Sequence, residues 1–141
     1  MTKRFHVSTK IDATPEAIWA LLTDGASWPS WNSTVDKVEG KISPGETVKL
    51  FVKLNPGRAF PVKVTVFEAP TRMVWTGGMP LGLFKGERTY TLEPKGDGAV
   101  EFSMREEFTG LLAGMITKSI PDLQPAFDDF ARDLKARAEK G

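Results

Sequence analysis

Arg88, Tyr90 and Glu106 are the residues whose types and spacing most invite chemistry. Residues 99–109 alternate, with Val100, Phe102, Met104 and Phe108 on one face, and Glu106 falls on that same apolar face. In residues 84–93, Tyr90 and Leu92 share a face with Gly86 and Arg88. Lys95-Gly96-Asp97-Gly98, between the two runs, is a tight-turn signal. A hairpin centred on Gly96 and Asp97 pairs residues whose numbers sum to about 193 or 194. Arg88 then lies opposite residues 104–106, within reach of Glu106. A lone inward charge is costly and a paired one less so, so the spacing predicts an Arg88–Glu106 ion pair facing inward. In one reading the pair fills a polar corner of the core. In the other it works with Tyr90 to orient a polar group on a ligand. A carboxylate clamped by arginine is poorly placed to take up a proton, which favours binding over general-base work. No residue is assigned as catalytic.

The remaining composition closes several routes. There is no cysteine, which removes disulfides, thiolate metal sites and thiol catalysis. The one histidine, His6, sits on the polar face of the first strand, so a Ser–His arrangement is not expected. No protein metal site and no cofactor are expected. Gly77-Gly78 and residues 95–98 are turn chemistry, since neither opens a helix as a phosphate loop does. Net charge is +1 with both signs interspersed, so nucleic acid is not an expected partner. No leader-like or membrane-length apolar run is present, which predicts no membrane span and a cytoplasmic location.

The elements follow from periodicity. Residues 4–12 alternate, with Phe5, Val7, Thr9 and Ile11 inward. Thr14, Pro15 and Glu16 start a helix whose stripe is Ala17, Ile18, Leu21 and Leu22, with Trp19 beside it; Gly25 ends it. Trp28 and Trp31 lie in a turn-rich piece, and at least one is expected to pack inward. Strands are expected at 35–39, 47–54, 62–68, 72–76, 84–93 and 99–109, joined by Gly/Pro turns that include Asn55-Pro56-Gly57. Residues 77–82 read as a flexible connection. Met79, Leu81, Leu83 and Phe84 on or beside it would gate a cavity or cap the core. Residues 110–140 form the long helical segment, with Ile120, Leu123, Phe127, Phe130 and Leu134 on one stripe. Pro121 and Pro125 predict a break or kink near residues 119–121. One domain spans residues 1–141.

In this order, the chain resembles the START-like (SRPBCC, Bet v 1-like) superfamily, and within it the bacterial polyketide cyclase/dehydrase-like group. Four stretches carry the resemblance: residues 11–19, residues 28–32, Gly86 through Leu92-Glu93-Pro94, and residues 106–112 leading into the last helix. It implies an α+β helix-grip fold: a curved antiparallel sheet of six to seven strands, two short helices after strand one, and a long C-terminal helix over the concave face. It also implies a hydrophobic cavity between sheet and helix. By parity the sheet would contribute Phe5, Val7, Val64, Trp75, Tyr90, Phe102 and Met104 to its wall. The helical segment would add Met115, Leu123 and Phe127. The first reading is therefore a protein that binds a lipid-like or polyketide-like small molecule, using Trp75, Arg88, Tyr90, Phe102, Met104, Glu106, Met115, Leu123 and Phe127. A second is a polyketide cyclase or dehydratase in which Arg88, Tyr90 and Glu106 polarise a carbonyl or hydroxyl. A third is a protein-interaction module, including a homodimer joined at a sheet edge.

Overall fold

The computed structural model describes residues 3–54, 56–119 and 122–140. Its strands are β1 (Lys3–Ile11), β2 (Val35–Glu39), β3 (Thr47–Val52), β4 (Ala59–Glu68), β5 (Arg72–Met79), β6 (Phe84–Pro94) and β7 (Val100–Thr109). They form one seven-stranded sheet in the order β1-β7-β6-β5-β4-β3-β2, with every neighbouring pair antiparallel. The helices are α1 (Pro15–Thr23), α2 (Trp28–Trp31), α3 (Ala113–Ile116) and α4 (Gln124–Lys140).

Helix α1 starts where the sequence predicts. Thr14 Oγ1 accepts from Ala17 N at 3.1 Å, Pro15 occupies the first turn and Glu16 faces the positive end. Ile18, Trp19 and Leu22 are buried. Ala17, expected on the stripe, is exposed, because α1 turns Trp19 inward to meet Phe67 edge-on at 5.3 Å. Helix α4 buries Phe127, Phe130, Ala131, Leu134 and Ala138 against the sheet. Phe130 is the centre of that contact: its ring lies 5.4 Å from Trp28, 5.8 Å from Trp31, 6.1 Å from Tyr90 and 6.0 Å from Phe102.

Polar side chains fix α4 along β1. Gln124 Nε2 donates to His6 O, Lys135 Nζ donates to Lys10 O, and Glu139 Oε2 accepts from Asp12 N. These bonds occupy backbone groups of an edge strand that would otherwise template pairing. At the far edge, β2 is short and carries Asp36, Lys37 and Glu39.

Two expectations about the chain's second half change. Residues 77–79 are not a loop; β5 runs on to Met79, paired through Gly77↔Gly86 and Gly78↔Lys85. The segment after β7 divides, as the prolines predict, but its first part does not turn Met115 inward as expected. Gly110, at φ +115°, turns the chain, and an added Cβ there would meet Leu83 O at 2.7 Å. Leu111 N then bonds Gly82 O and Leu112 N bonds Leu83 O, which ties α3 to the β5–β6 loop. Ala113 and Thr117 become the buried positions there, and Leu111 and Met115 face water. A 3₁₀ turn, Thr117–Ser119, follows, and α4 begins anew at Gln124 with Asp122 Oδ1 accepting from its amide. Pro125 therefore sits in the first turn of α4, where its missing amide proton costs nothing. Ile120 and Pro121, on which the stripe and the expected break also rested, lie outside the described residues, as does Asn55.

Phe130→Ala is expected to lower unfolding free energy by about 3–5 kcal/mol. Met115→Ala should change it by no more than about 0.5 kcal/mol. Urea denaturation of both variants checks the pair, and a large loss at Met115 would contradict its exposed placement.

Candidate functional site

Strand register builds one row of inward residues across the sheet: Phe5 on β1, Glu106 on β7, Arg88 on β6, Trp75 on β5 and Val64 on β4. The next row holds Val7, Met104, Tyr90 and Met73. Arg88 pairs with Glu106 because the β6–β7 hairpin puts their Cα atoms directly opposite. Arg88 Nε and Nη2 both donate to Glu106 Oε1, at 2.8 and 2.6 Å. Their side chains are only 20% and 14% exposed. The guanidinium carbon sits 5.0 Å from the centre of the Phe127 ring on α4. Among the described residues, neither Glu106 Oε2 nor Arg88 Nη1 makes a hydrogen bond. The pair is a clamp on one oxygen, with one donor and one acceptor left over.

Aromatic rings surround it. Phe5 lies 6.0 Å from Phe127 and 6.4 Å from Phe108, and Phe84 stacks on Phe108 at 5.7 Å. Deeper in, Trp75 stacks on Trp28 at 5.5 Å and meets Tyr90 edge-on at 5.1 Å. Among the described residues, three buried polar atoms have no hydrogen-bond partner: Trp75 Nε1, Tyr90 Oη and Asn32 Nδ2. Each such group costs roughly 1–3 kcal/mol when left unmade. Asn32 is anchored at its other end, where Oδ1 accepts from Thr34 N and Thr34 Oγ1.

Burial pushes the Tyr90 phenol up to about 12; the Arg88 charge, and a contact between guanidinium and phenol too long to count as a full hydrogen bond, offset only part of that rise. Tyr90 is therefore a neutral hydrogen-bond donor at any ordinary pH. Burial works against the Arg88 charge, but Glu106, with a smaller part from Tyr90, outweighs it and holds the guanidinium protonated more firmly than usual.

Of the residues picked out by sequence, Trp75, Tyr90, Phe102, Met104 and Phe127 are buried in one aromatic interior, and Leu123 packs half-buried against it. Arg88 and Glu106 sit at its rim. Met115 does not join them: its side chain is 65% exposed, because α3 turns its small residues inward. The space beneath α4 is occupied by side chains, with Trp28, Trp75, Tyr90, Phe102 and Phe130 all fully buried. A shallow, open hollow of about 340 Å³ lies at the β5–β6 end and is lined by Thr76, Gly77, Gly78, Met79, Gly82, Phe84 and Lys85. Asn32 was missed by sequence reasoning, since nothing in a Trp-Asn pair at a helix end announces a buried amide. No cluster of three metal-ligating side chains occurs among the described residues. No helix among them is long and apolar enough to cross a membrane.

A family model described as polyketide cyclase/dehydrase and lipid transport matches residues 2–139. The chain belongs to that family. No curated protein matches it. The fold of this polyketide cyclase/dehydrase-like domain is shared with solved structures of low identity. A START superfamily protein from Mycobacterium smegmatis is 17% identical at a TM-score of 0.70, covering 97% of each chain. Truncated norcoclaurine synthase from Thalictrum flavum is 15% identical at a TM-score of 0.73, over 100% of this chain and 96% of that one. The di-domain ARO/CYC protein BexL of the BE-7585A biosynthetic pathway is 15% identical at a TM-score of 0.70, over 98% of this chain and 50% of that one. The curled sheet gripping α4 is the helix-grip fold of these proteins.

Tyr90 is the sole tyrosine, so phenolate absorbance titrates it alone. In the folded protein it is expected to ionise near pH 12, and in urea near pH 10. Its folded pKa is raised, so its contribution is complete below about pH 10 and is lost as pH climbs towards 12. Stability should fall by roughly 2–3 kcal/mol across that window in the native protein, and this part of the fall should vanish in Tyr90→Phe. For the ion pair, Glu106→Ala should cost about 3 kcal/mol by stranding Arg88 beneath Phe127, whereas Arg88→Met with Glu106→Leu should recover most of that loss. Equal losses in the single and double variants would show that the pair is not a coupled unit.

Proposed function

We propose that this domain binds a flat, largely apolar small molecule, lipid-like or polyketide-like, that presents a carbonyl or phenolic oxygen to the Arg88–Tyr90–Trp75 side of its interior. The observation that carries the reading is the pair of buried, unpartnered donors on adjoining rings, Trp75 Nε1 and Tyr90 Oη, next to the spare Nη1 of Arg88. All three offer protons, so the complementary group is an oxygen acceptor. Stacked rings on both sides suit a planar body. The membership in a family described by polyketide cyclisation, dehydration and lipid transport supports the same ligand class. Since side chains fill the space under α4, the ligand is accommodated by repacking them, with its apolar part lying towards the glycine-rich hollow beside Gly77 and Phe84.

A second reading rests on Glu106 Oε2, a carboxylate oxygen that makes no bond at the rim of the same interior. In a cyclase or dehydratase, Arg88 and the neutral Tyr90 phenol would polarise a substrate carbonyl and that oxygen would receive the proton. The clamp on Oε1 weakens it as a base, which places binding ahead of catalysis.

Native mass spectrometry of the purified protein, then thermal shifts with polycyclic phenols, quinones and fatty acids, tests the binding reading. A quinone or polycyclic ketone is expected to bind, and Tyr90→Phe to weaken it by about tenfold, the worth of one hydrogen bond. The same variant should be as stable as the native protein, since it removes an unpartnered hydroxyl. Affinity and stability both unchanged in Tyr90→Phe and in Glu106→Gln would remove the site from consideration.

A further inference from the structure

One end of the molecule carries apolar side chains that the interior does not use. Leu81, at the tip of the β5–β6 loop, is 91% exposed, and Leu111, just after β7, is 85% exposed. They adjoin, because Leu111 N bonds Gly82 O and Leu112 N bonds Leu83 O. Met115 on α3 and Met79 at the end of β5 are exposed beside them. Leu81 holds its backbone at φ +63°, the left-handed region that glycine adopts freely and leucine does not. A strained turn thus keeps a leucine pointed into water.

The two segments that carry these side chains, residues 79–86 and 108–119, hold no acidic residue, and each contains one lysine, Lys85 and Lys118. Lys3 stands opposite Phe108 at the same end. The nearest strand carboxylates are already engaged, Glu87 by Lys85 and Glu107 by Arg4 and Arg105. Asp122 is engaged in capping α4.

We propose that this end docks on an anionic lipid bilayer, with Leu81 and Leu111 inserted at the boundary between headgroups and acyl chains and the exposed Lys118 on the headgroups. Apolar tips on two adjoining turns fit a surface that yields to them, and an exposed lysine on a segment without acidic residues favours negatively charged lipid. The proposal is independent of what the interior binds.

Flotation with vesicles of phosphatidylcholine and phosphatidylglycerol in equal parts, against phosphatidylcholine alone, tests it. The protein is expected to float with the anionic vesicles, less so at high salt. Leu81→Gly with Leu111→Ser should reduce partitioning by about tenfold or more. Glycine relieves the turn at position 81 and position 111 is exposed, so this variant should melt like the native protein. Lys118→Gln should reduce partitioning by about fivefold. Tyr90→Phe should float normally; its loss of flotation would trace the effect to uptake of single lipids and overturn the proposal. So would a native protein that stays unbound, a leucine variant that floats equally well, or a concentration-dependent dimer that the leucine variant abolishes in the absence of any flotation.

Discussion

A curled antiparallel sheet has a concave apolar face that must be covered, and in this chain the cover is one stripe of α4. Phe127, Phe130, Leu134 and Ala138 recur at spacings of three and four, and the sheet offers Phe102, Met104, Tyr90 and Trp75 to meet them. The rings of Phe130 and Trp28 join helix, loop and sheet in a single aromatic packing. Bonds from Gln124, Lys135 and Glu139 to the backbone of β1 then set where α4 lies. Apolar burial supplies the drive and these polar contacts supply the alignment.

That closure determines the chemistry of the interior. Because α4 lies over it, Tyr90 is wholly desolvated and stays a neutral phenol, and Phe127 caps the Arg88 guanidinium. The ion pair at the rim keeps one oxygen and one N–H unspent, while Trp75 and Tyr90 carry unpartnered protons further in. Polar atoms left unmade in an aromatic interior are a standing cost. An oxygen-bearing ligand would relieve that cost, and the binding role proposed above rests on this.

Much of the sheet was legible in advance. A period of two assigns every residue of β6 and β7 to a face, and Lys95-Gly96-Asp97-Gly98 sets their register, so Arg88 opposite Glu106 could be read from spacing alone. The segment after β7 was not legible in the same way. Leu111, Leu112 and Met115 have the composition of a core helix, and only the turn at Gly110, with its contact to Leu83, sends Leu111 and Met115 outward. The run through Gly77 and Gly78 looked like a loop because glycine carries no side chain to show alternation, although pairing with β6 continues through both.

By itself the sequence determined the faces of the β6 and β7 side chains, the helix-grip order of elements, and the inward arginine–glutamate pair, because these depend on local periodicity and one short turn. Tertiary structure decided how much room remains under α4, that Asn32, Trp75 and Tyr90 keep unpartnered polar atoms, and that two leucines crown one end of the molecule. Those outcomes depend on how side chains from distant segments fill a shared volume, and one-dimensional spacing carries no measure of volume.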